Sequence, residues 1–273
     1  MLRDVVARAL AEDLGALGDL TSVALIPEGA KGSGRFVARQ AGVLAGTAAA
    51  TEVFAQLDSG VRVAWKNRDG DDLEAGQEFA LIRGRLRSVL AGERCALNFL
   101  GHLSGVATLT RAYTRAAGDR ARIRDTRKTL PGLRALEKAA VRAGGGANHR
   151  GGLSDAVLIK DNHLRVCTIT VAVARARSRW PGTVIEVECD TLEQVAEAKA
   201  AGADLVLLDN MSPDDVGRAV AVLGGAAQIE VSGRVTLASV AAYAAAGADL
   251  ISVGALTHSA PVLDLALDLD PGK

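Results

Sequence analysis

Two stretches of the chain, Thr191-Leu-Glu-Gln-Val…Ala201-Gly-Ala-Asp-Leu205 and Thr236-Leu-Ala-Ser-Val…Ala246-Gly-Ala-Asp-Leu250, repeat each other at an offset of 45 residues. Each stretch joins a helical segment to a short apolar strand through Gly-Ala-Asp, and the offset corresponds to two strand–helix units. No Gly-x-Gly-x-x-Gly follows a strand, as it would in a dinucleotide-binding sheet. The repeat therefore predicts an α/β barrel of parallel strands, with an open doubly wound sheet as the alternative.

Short apolar strands of this kind alternate with helices from about residue 122 onward. Polar residues at the carboxyl ends of barrel strands converge on one mouth, where active sites lie. The residues that the sequence places at these ends are Asp125, Arg127, Lys160, Glu186, Glu188, Asp209, Asn210, Ser232, Gly233, Ser252 and Gly254. Cations thus belong to the early strands, carboxylates to the middle strands and small Ser/Gly turns to the last two.

The first 105 residues follow another pattern. Helical periodicity covers Leu2–Leu14 and the Ala-rich Thr47–Leu57, whereas Val61–Trp65 alternates at the period of a strand and a further strand begins at Glu78. We therefore predict a small α+β domain over residues 1–105. A long helix from about residue 88 to 115 leads into a barrel domain over residues 106–273, whose C-terminal tail could return to the first domain.

The distribution of charge indicates the kind of ligand. The chain is neutral, with 32 Lys and Arg against 32 Asp and Glu, but residues 119–165 hold eleven basic residues against five acidic ones. A local excess in a neutral protein favours a small polyanion over nucleic acid, which would require an extended basic surface. Ser/Gly turns after late strands suit a phosphate because backbone N–H groups can approach it closely. The carboxylates of the middle strands could hold a divalent metal or sugar hydroxyls.

Cysteine usage and the N-terminus bear on the compartment. Cys95, Cys167 and Cys189 are odd in number and lack metal-type spacing, which favours buried, reduced thiols in a cytoplasmic protein. The N-terminus mixes charges into an amphipathic pattern, and no uncharged apolar run reaches about 18 residues. We expect neither secretion nor membrane insertion.

Several longer motifs occur in one order along nearly the whole chain. They are Glu12-Asp-Leu-Gly, Gly18-Asp-Leu-Thr-Ser, Gly92-Glu-Arg94-Cys-Ala-Leu-Asn98, His102-Leu-Ser-Gly, Asp125-Thr-Arg-Lys-Thr, Gly144-Gly-Gly-Ala-Asn148-His149-Arg150, Leu158-Ile-Lys160-Asp-Asn162-His163 and Val253-Gly-Ala-Leu-Thr-His258-Ser. On these motifs the chain resembles the quinolinate phosphoribosyltransferase family, the carboxylating nicotinate-nucleotide pyrophosphorylases of NAD biosynthesis.

The resemblance implies an N-terminal α/β sandwich domain joined to an incomplete α/β barrel, the architecture of type II phosphoribosyltransferases. It also implies a homodimer in which the N-terminal domain of one subunit helps to close the site of the other. The implied reaction joins quinolinate to phosphoribosyl pyrophosphate in the presence of Mg²⁺. Its products would be nicotinate mononucleotide, pyrophosphate and carbon dioxide.

The resemblance further assigns roles to single residues. Those implied to hold quinolinate are Arg127, His149, Arg150 and Lys160, with Arg94 supplied by the partner subunit. Those implied to hold the 5′-phosphate are Ser232, Gly233 and Gly254. Lys128 would lie beside the pyrophosphate and the reacting centre, and Glu188 and Asp209 would face the ribose and Mg²⁺. Lys128, Glu188 and Asp209 are thus the candidate catalytic residues, and the last two are the candidate metal ligands.

Two positions depart from the family pattern, and other functions stay open. Arg234 stands where a second Gly usually follows Gly233, so it could add a cation for phosphate or signal altered substrate use; Leu130 replaces a common Thr or Ser. The alternatives are a paralogue acting on another aromatic acid, a related molybdenum-operon protein, a Schiff-base lyase using Lys128 or Lys160, and a phosphometabolite-binding protein without activity. The intact segment 158–163 favours the quinolinate enzyme over the molybdenum-operon protein. Glu186 points the same way as Glu188 in a strand, so a shared role is also open.

Overall fold

A computed structural model describes residues 2–270 of the chain. The strands are β1 (Lys31–Ala38), β2 (Gly42–Val43), β3 (Arg62–Trp65), β4 (Asp72–Leu73), β5 (Glu78–Arg85), β6 (Arg122–Arg124), β7 (Val157–Ile159), β8 (Ile185–Cys189), β9 (Leu205–Asp209), β10 (Gln228–Ser232), β11 (Leu250–Ser252) and β12 (Leu265–Leu269). The helices are α1 (Leu2–Leu14), α2 (Leu20–Leu25), α3 (Thr47–Leu57), α4 (Leu86–Ala117), α5 (Arg134–Ala143), α6 (Asp161–Leu164), α7 (Ile169–Arg179), α8 (Leu192–Ala200), α9 (Pro213–Leu223), α10 (Val240–Ala245) and α11 (Ala255–His258).

These elements form two compact units. The first comprises Met1–Arg111, Leu130–Gly145 and Ser259–Lys273, and the second comprises Ala112–Thr129 and Gly146–His258. Within residues 2–270, no helix combines the length and the apolar composition needed to cross a membrane.

The first unit contains a four-stranded antiparallel sheet with the order β12-β1-β5-β3. β1 pairs with both β5 and β12, so a strand from the end of the chain completes a sheet built mainly from its beginning. Phe36 of β1 is fully buried, and its ring centroid lies 5.9 Å from that of Phe79 and 6.4 Å from that of Phe54 in α3. Since each aromatic ring removes a large apolar area from water, this cluster ties the helix to the sheet.

Two glycines of α4 allow the C-terminal segment to reach that sheet. A Cβ atom at Gly105 would lie 2.0 Å from the carbonyl oxygen of Pro261, and one at Gly101 would lie 3.1 Å from that of Leu263. The backbone N–H of Leu263 donates to the carbonyl oxygen of Gly101 at 3.0 Å. Only the absence of side chains at these two helix positions permits such an approach, and it leads the chain directly into β12.

The second unit contains a six-stranded parallel sheet with the order β6-β11-β10-β9-β8-β7. β7 to β11 follow one another without reversal, and β6 pairs with β11 at the far end. A doubly wound sheet would reverse its order at a switch point, so this winding confirms the predicted barrel topology. In the described part of the chain, β6 and β7 lie at the two edges of this sheet and do not pair with each other. On its open side, β6 forms an isolated parallel bridge from Arg124 to Ala147, so the barrel is incomplete.

The Gly-Ala-Asp repeat stabilises the amino ends of the strands. Gly202 and Gly247 follow α8 and α10 with φ angles of 76° and 101°, a conformation that glycine adopts without steric cost. The carboxylates of Asp204 and Asp249 then accept the N–H groups of Ile185 and Ile229, each at 2.8 Å. Each aspartate thus fixes the start of the neighbouring strand, at the end of the barrel opposite the mouth, where residues serve stability.

We expect Asp249→Ala to lower the free energy of unfolding by about 1 kcal/mol, because the backbone N–H of Ile229 loses its acceptor. In a chain of this size the melting temperature should fall by about 2 to 4 °C, which differential scanning calorimetry can measure. Asp119→Ala, at another exposed aspartate, is the control and should leave the melting temperature nearly unchanged. Equal melting temperatures for the two variants would show that the repeat does not stabilise the sheet.

Candidate active site

The carboxyl ends of the parallel strands surround a cavity of about 420 Å³. Its lining residues are Thr126, Arg127, Lys128, His149, Arg150, Leu158, Lys160, Glu188, Leu207, Asp209, Glu230, Ser232 and Ser252. Eight of the eleven residues expected at the site are therefore brought together. Gly233 follows Ser232, and Gly254 lies beside Lys128, since a Cβ atom there would be 3.1 Å from the Cδ atom of the lysine.

Arg94, the eleventh residue, belongs to the first unit. It is exposed on α4 and lines a separate cavity of about 790 Å³, together with Arg8, Glu12 and Asp13. His102 lines the same cavity, and its Nε2 atom lies 2.8 Å from the buried carboxylate of Glu137. Arg94 is thus placed among residues of the first unit.

The backbone that carries Lys128 is held on both sides. Its N–H group donates to Thr126 Oγ1 at 3.0 Å, and its carbonyl oxygen accepts the hydroxyl of Thr257 at 2.7 Å. The missing side chain at Gly254 leaves room for the aliphatic stem of the lysine. Thr126 therefore has a structural role, and the backbone from which the Lys128 side chain extends is held in place.

Arg150 is a cation in an unfavourable environment. Its Nη1 atom donates to the carbonyl oxygen of Ala156 at 3.2 Å, while its Nε atom is buried without a hydrogen-bond partner in the described structure. Burial lowers the pKa of the guanidinium, and the neighbouring charge of Arg127 lowers it further. An arginine nevertheless stays charged at neutral pH. Two close guanidinium groups, one of them with an unused donor, favour the binding of an anion here.

Lys160 and Glu188 form an ion pair across the cavity, from the end of β7 to the end of β8. The carboxylate of Glu188 is largely buried, whereas the lysine side chain is 41% exposed. The backbone N–H of Lys160 donates to His163 Nδ1 at 2.9 Å, so the histidine caps this turn. A ligand carboxylate at Lys160 and a cation at Glu188 would each replace one half of the pair.

The turns after β9 and β10 are in close contact with each other. Asn210 has φ of 56° and donates through Nδ2 to the carboxylate of Asp209 at 2.7 Å. Gly233 has φ of 111°, and a Cβ atom there would lie 2.5 Å from Asn210 Oδ1. Asn210 is the one non-glycine among residues 2–270 with positive φ, so Arg234 avoids the strained region and is compatible with this turn. Asparagine tolerates that conformation better than most residues, which is the signal in the sequence for its role.

Two groups of side chains have the chemistry of metal ligands. Glu188 and Asp209 offer carboxylate oxygens at the cavity wall, which fit the preference of Mg²⁺ for oxygen ligands. His149, Glu186 and Glu230 offer a nitrogen and two oxygens within 4.8 Å of one another. However, His149 Nδ1 accepts the backbone N–H of Arg150 at 2.7 Å, so the ring proton lies on Nε2, the atom that would have to coordinate the ion. This second group does not fit a metal.

A buried polar layer lies beneath the cavity and was only partly anticipated. The carboxylate of Asp125 accepts the backbone N–H of His149 at 2.9 Å and the side-chain amide of Asn148. Glu230 is fully buried, and burial together with the charge of Glu186 raises its pKa. Glu230 stands two residues before Ser232 in β10 and so points in the same direction. That period of two was the signal by which the sequence could have identified it.

The cysteines take no part in the site. Cys167, which was also expected to be buried, is only partly buried. Cys95 and Cys189 are buried, and burial raises the pKa of the first thiol to about 11 and that of the second to about 12. Thiols of this kind are poor nucleophiles at neutral pH, in agreement with the expectation that they serve as small apolar residues.

Comparison with protein families gives two matches that together cover most of the chain. Residues 19–104 match the family model described as quinolinate phosphoribosyl transferase, N-terminal domain. Residues 106–268 match the model described as quinolinate phosphoribosyl transferase, C-terminal domain.

Individual proteins agree with the family models. The carboxylating nicotinate-nucleotide pyrophosphorylase of Mycobacterium leprae is 44% identical over 274 residues, which cover 98% of this chain and 96% of the relative. A probable enzyme of the same name from Bacillus subtilis is 43% identical, with 98% and 93% covered. The solved structure of the nicotinate-nucleotide pyrophosphorylase from Francisella tularensis superposes with a TM-score of 0.94 at 39% identity, with 98% and 96% covered.

If the turns after β10 and β11 bind a phosphate group, we expect Gly233→Ala to weaken that binding at least about tenfold. A side chain at φ of 111° is strained and would collide with Asn210. The measurement is the thermal stabilisation of the protein as a function of inorganic phosphate concentration. Gly217→Ala is the control, because Gly217 lies inside α9 and a Cβ atom there meets nothing within 4 Å. A phosphate response of Gly233→Ala equal to that of the wild type would remove this turn from the site.

Proposed function

The chain belongs to the quinolinate phosphoribosyltransferase family, and we propose that it transfers the phosphoribosyl group of phosphoribosyl pyrophosphate to quinolinate with loss of carbon dioxide. The products are nicotinate mononucleotide, pyrophosphate and CO₂, the reaction by which relatives of this name serve NAD biosynthesis. The observation that carries the proposal is the division of one cavity into a cationic side and a carboxylate side. The two substrates are polyanions that meet at a centre where positive charge develops.

We propose that the cationic side binds quinolinate. Its two adjacent carboxylates require several donors within a few ångströms, and Arg127, Arg150 and Lys160 supply them. Guanidinium groups match carboxylates with two parallel hydrogen bonds, which gives both energy and orientation. The unused Nε donor of Arg150 supports this assignment. His149 lines the same wall, with both ring nitrogens within hydrogen-bond distance of protein groups below it.

The other side is proposed to bind the phosphoribosyl donor. Ser232, Gly233 and Gly254 form the cradle for the 5′-phosphate, where glycines allow backbone N–H groups to approach. Lys128 faces the pyrophosphate. Glu188 and Asp209 would hold Mg²⁺, which would neutralise charge on the leaving pyrophosphate, and they would also face the ribose. Asn210 keeps the carboxylate of Asp209 in place.

In the proposed reaction, the carboxylates and the cations of the cavity stabilise charges of opposite sign. A bond forms between the ring nitrogen of quinolinate and the anomeric carbon of the ribose, while the bond from that carbon to the pyrophosphate oxygen breaks. Carboxylates near the ribose stabilise its developing positive charge, and Lys128 stabilises the negative charge of the leaving group. The carboxyl group next to the ring nitrogen then leaves as CO₂. Its electron pair stays on the ring carbon, is stabilised by the adjacent pyridinium nitrogen and takes up a proton.

The active unit is proposed to be a homodimer in which Arg94 completes the quinolinate site of the partner subunit. Arg94 is exposed on the first unit, as an arginine that serves another subunit must be. Four large apolar side chains, those of Leu17, Leu20, Val23 and Leu25, are also exposed in the first unit. Exposed apolar side chains in such number favour an interface with another chain.

We expect the enzyme to turn over quinolinate and to reject nicotinate, which lacks the second carboxylate. A monocarboxylate would leave desolvated cations without partners, and a site built for a polar group discriminates strongly against ligands that lack it. The ratio of kcat/KM should be at least about 10³, measured from the release of CO₂ and pyrophosphate with quinolinate and of pyrophosphate with nicotinate. Comparable turnover of both acids would overturn the proposed function.

The composite site can be tested by mixing inactive variants. Arg94→Ala and Lys128→Ala homodimers should both be nearly inactive. After subunit exchange, half of the dimers are mixed, and each mixed dimer has one site with both lesions and one site with neither. Activity should therefore return to about one quarter of the wild-type value.

A second mixture is the control for this experiment. Lys128 and Asp209 line the same cavity, so a mixture of Lys128→Ala and Asp209→Ala leaves one lesion in every site and should stay inactive. Exchange is verified by mass spectrometry of differently tagged subunits. If exchange occurs and the Arg94→Ala mixture stays inactive, Arg94 acts within its own subunit and the composite site must be abandoned.

A further inference from the structure

Glu230 contributes to the floor of the cavity, where it is surrounded by four side chains from different elements. Its Oε2 atom accepts a hydrogen bond from Arg124 Nη1 of β6, and its Oε1 atom contacts the hydroxyl of Ser252 in β11. The same Oε1 atom lies 3.4 Å from His149 Nε2, which lies 3.0 Å from Glu186 Oε2 of β8. Glu230 is 0% exposed and Glu186 is 3% exposed, so bulk solvent screens these contacts only weakly.

His149 and Ser252 can each donate only one hydrogen to the hydrogen bonds of this cluster. His149 Nδ1 accepts the N–H of Arg150, so the imidazole has a single hydrogen, on Nε2, and the closer acceptor for it is Glu186. Ser252 also has one hydrogen. Its hydroxyl lies 3.3 Å from the carbonyl oxygen of Asp125, which can only accept. When Ser252 donates to that carbonyl oxygen, its contact with Glu230 is a hydrogen bond only if Glu230 is the donor.

We propose that Glu230 is an uncharged acid that serves as a positioning residue for the quinolinate half of the site. Its hydroxyl donates to Ser252 and its carbonyl oxygen accepts from Arg124, which leaves the single N–H of His149 to Glu186. The imidazole is thereby held as the neutral Nε2–H tautomer, and its Nδ1 atom fixes the backbone of Arg150. The expected effect on quinolinate binding rests on the proposed function. The protonation state of Glu230 does not depend on that function.

The uncharged state also suits the ligand. An ionised Glu230 would add a further carboxylate to a buried layer that already contains those of Asp125 and Glu186. It would face the dianion that the cavity is proposed to receive, and like charges in a poorly solvated site repel strongly. With Glu230 neutral, less negative charge opposes the cations of the cavity wall, and more of their attraction is available to the substrate.

Burial and one neighbouring carboxylate favour the uncharged state of Glu230. The charged and titratable groups around it are Arg124 from β6, Glu186 from β8 and His149 from the segment after residue 145. Its cross-strand neighbours in β9 and β11 are Leu207 and Leu250, which do not titrate. Burial and the charge of Glu186 raise the pKa of Glu230, and they outweigh the opposing influence of Arg124, His149 and the hydrogen bond with Ser252.

The first test uses no substrate. Glu230→Gln keeps a carbonyl oxygen for Arg124 and an N–H donor for Ser252, and so reproduces the uncharged acid. At acid pH, below the pKa that Glu230 has in the unfolded chain, the melting temperatures of wild type and Glu230→Gln should agree within about 2 °C. With a raised pKa the native state holds a proton that the unfolded chain has lost. The wild type should therefore lose stability relative to the variant progressively as the pH rises from that point through the neutral range, until the pH passes the pKa of the folded state. A Glu230→Gln protein that is less stable throughout the neutral range would show that Glu230 is ionised, and would overturn the proposal.

The second test separates the two substrates. Glu230→Leu removes both oxygens and should raise the KM for quinolinate more than about tenfold while leaving the KM for phosphoribosyl pyrophosphate within about threefold. Glu230→Gln should restore the quinolinate KM to within about threefold of wild type. Glu74→Gln, at an exposed acid of the first unit, is the matched control. An equal rise in both KM values, or a failure of Glu230→Gln to restore binding, would exclude a positioning role.

These outcomes are independent of one another. If Glu230→Leu does not fold, Glu230→Gln still decides both the protonation state and the KM comparison. If the wild type does not turn over quinolinate at all, the proposed function fails, whereas the comparison of melting temperatures continues to test the uncharged acid.

Discussion

The mutual repulsion of the cations at the mouth of the barrel is the constraint on which the rest of this structure depends. Arg127, Lys128, Arg150 and Lys160 line one cavity of about 420 Å³, and Arg150 is partly removed from water. Without a ligand, such a group of charges favours any rearrangement that separates them. The fold opposes this by fixing the backbone of Lys128 through Thr126 and Thr257, and by pairing Lys160 with Glu188.

Acidic residues have different roles at the two ends of the barrel strands. At the amino ends of the strands, Asp204 and Asp249 bind backbone N–H groups of the neighbouring strands and so hold the sheet together. At the carboxyl ends, Glu188 and Asp209 line the cavity instead. Between these levels, Glu230 is fully buried at the floor of the cavity. The same residue types therefore stabilise the sheet, prepare the site or face the ligand, according to their height in the barrel.

Residue pattern predicted the architecture better than it predicted the contacts. The 45-residue repeat led to the parallel barrel because each Gly-Ala-Asp has a local geometric cause, a glycine of positive φ followed by a capping aspartate. The motifs also identified the residues that meet at the cavity. The roles of Glu230, Asn210 and Asp125 were not predicted, since each depends on a partner more than 20 residues away or on a backbone angle. Periodicity shows that Glu230 points inward, but only tertiary structure shows that Arg124 and Ser252 meet it there.

The turn after β10 shows how such a site tolerates a change of residue type. Arg234 stands where the family usually has a second glycine, and only glycine adopts positive φ without steric cost. In this chain the positive φ falls on Gly233 and on Asn210, and Arg234 does not share it. The conformational demand is therefore confined to two residues that contact each other, Gly233 by its lack of a side chain and Asn210 by its tolerance of the left-handed region. Because the next position carries no such demand, it is free to vary, and an exposed arginine there adds a positive charge beside the proposed phosphate cradle without distorting it.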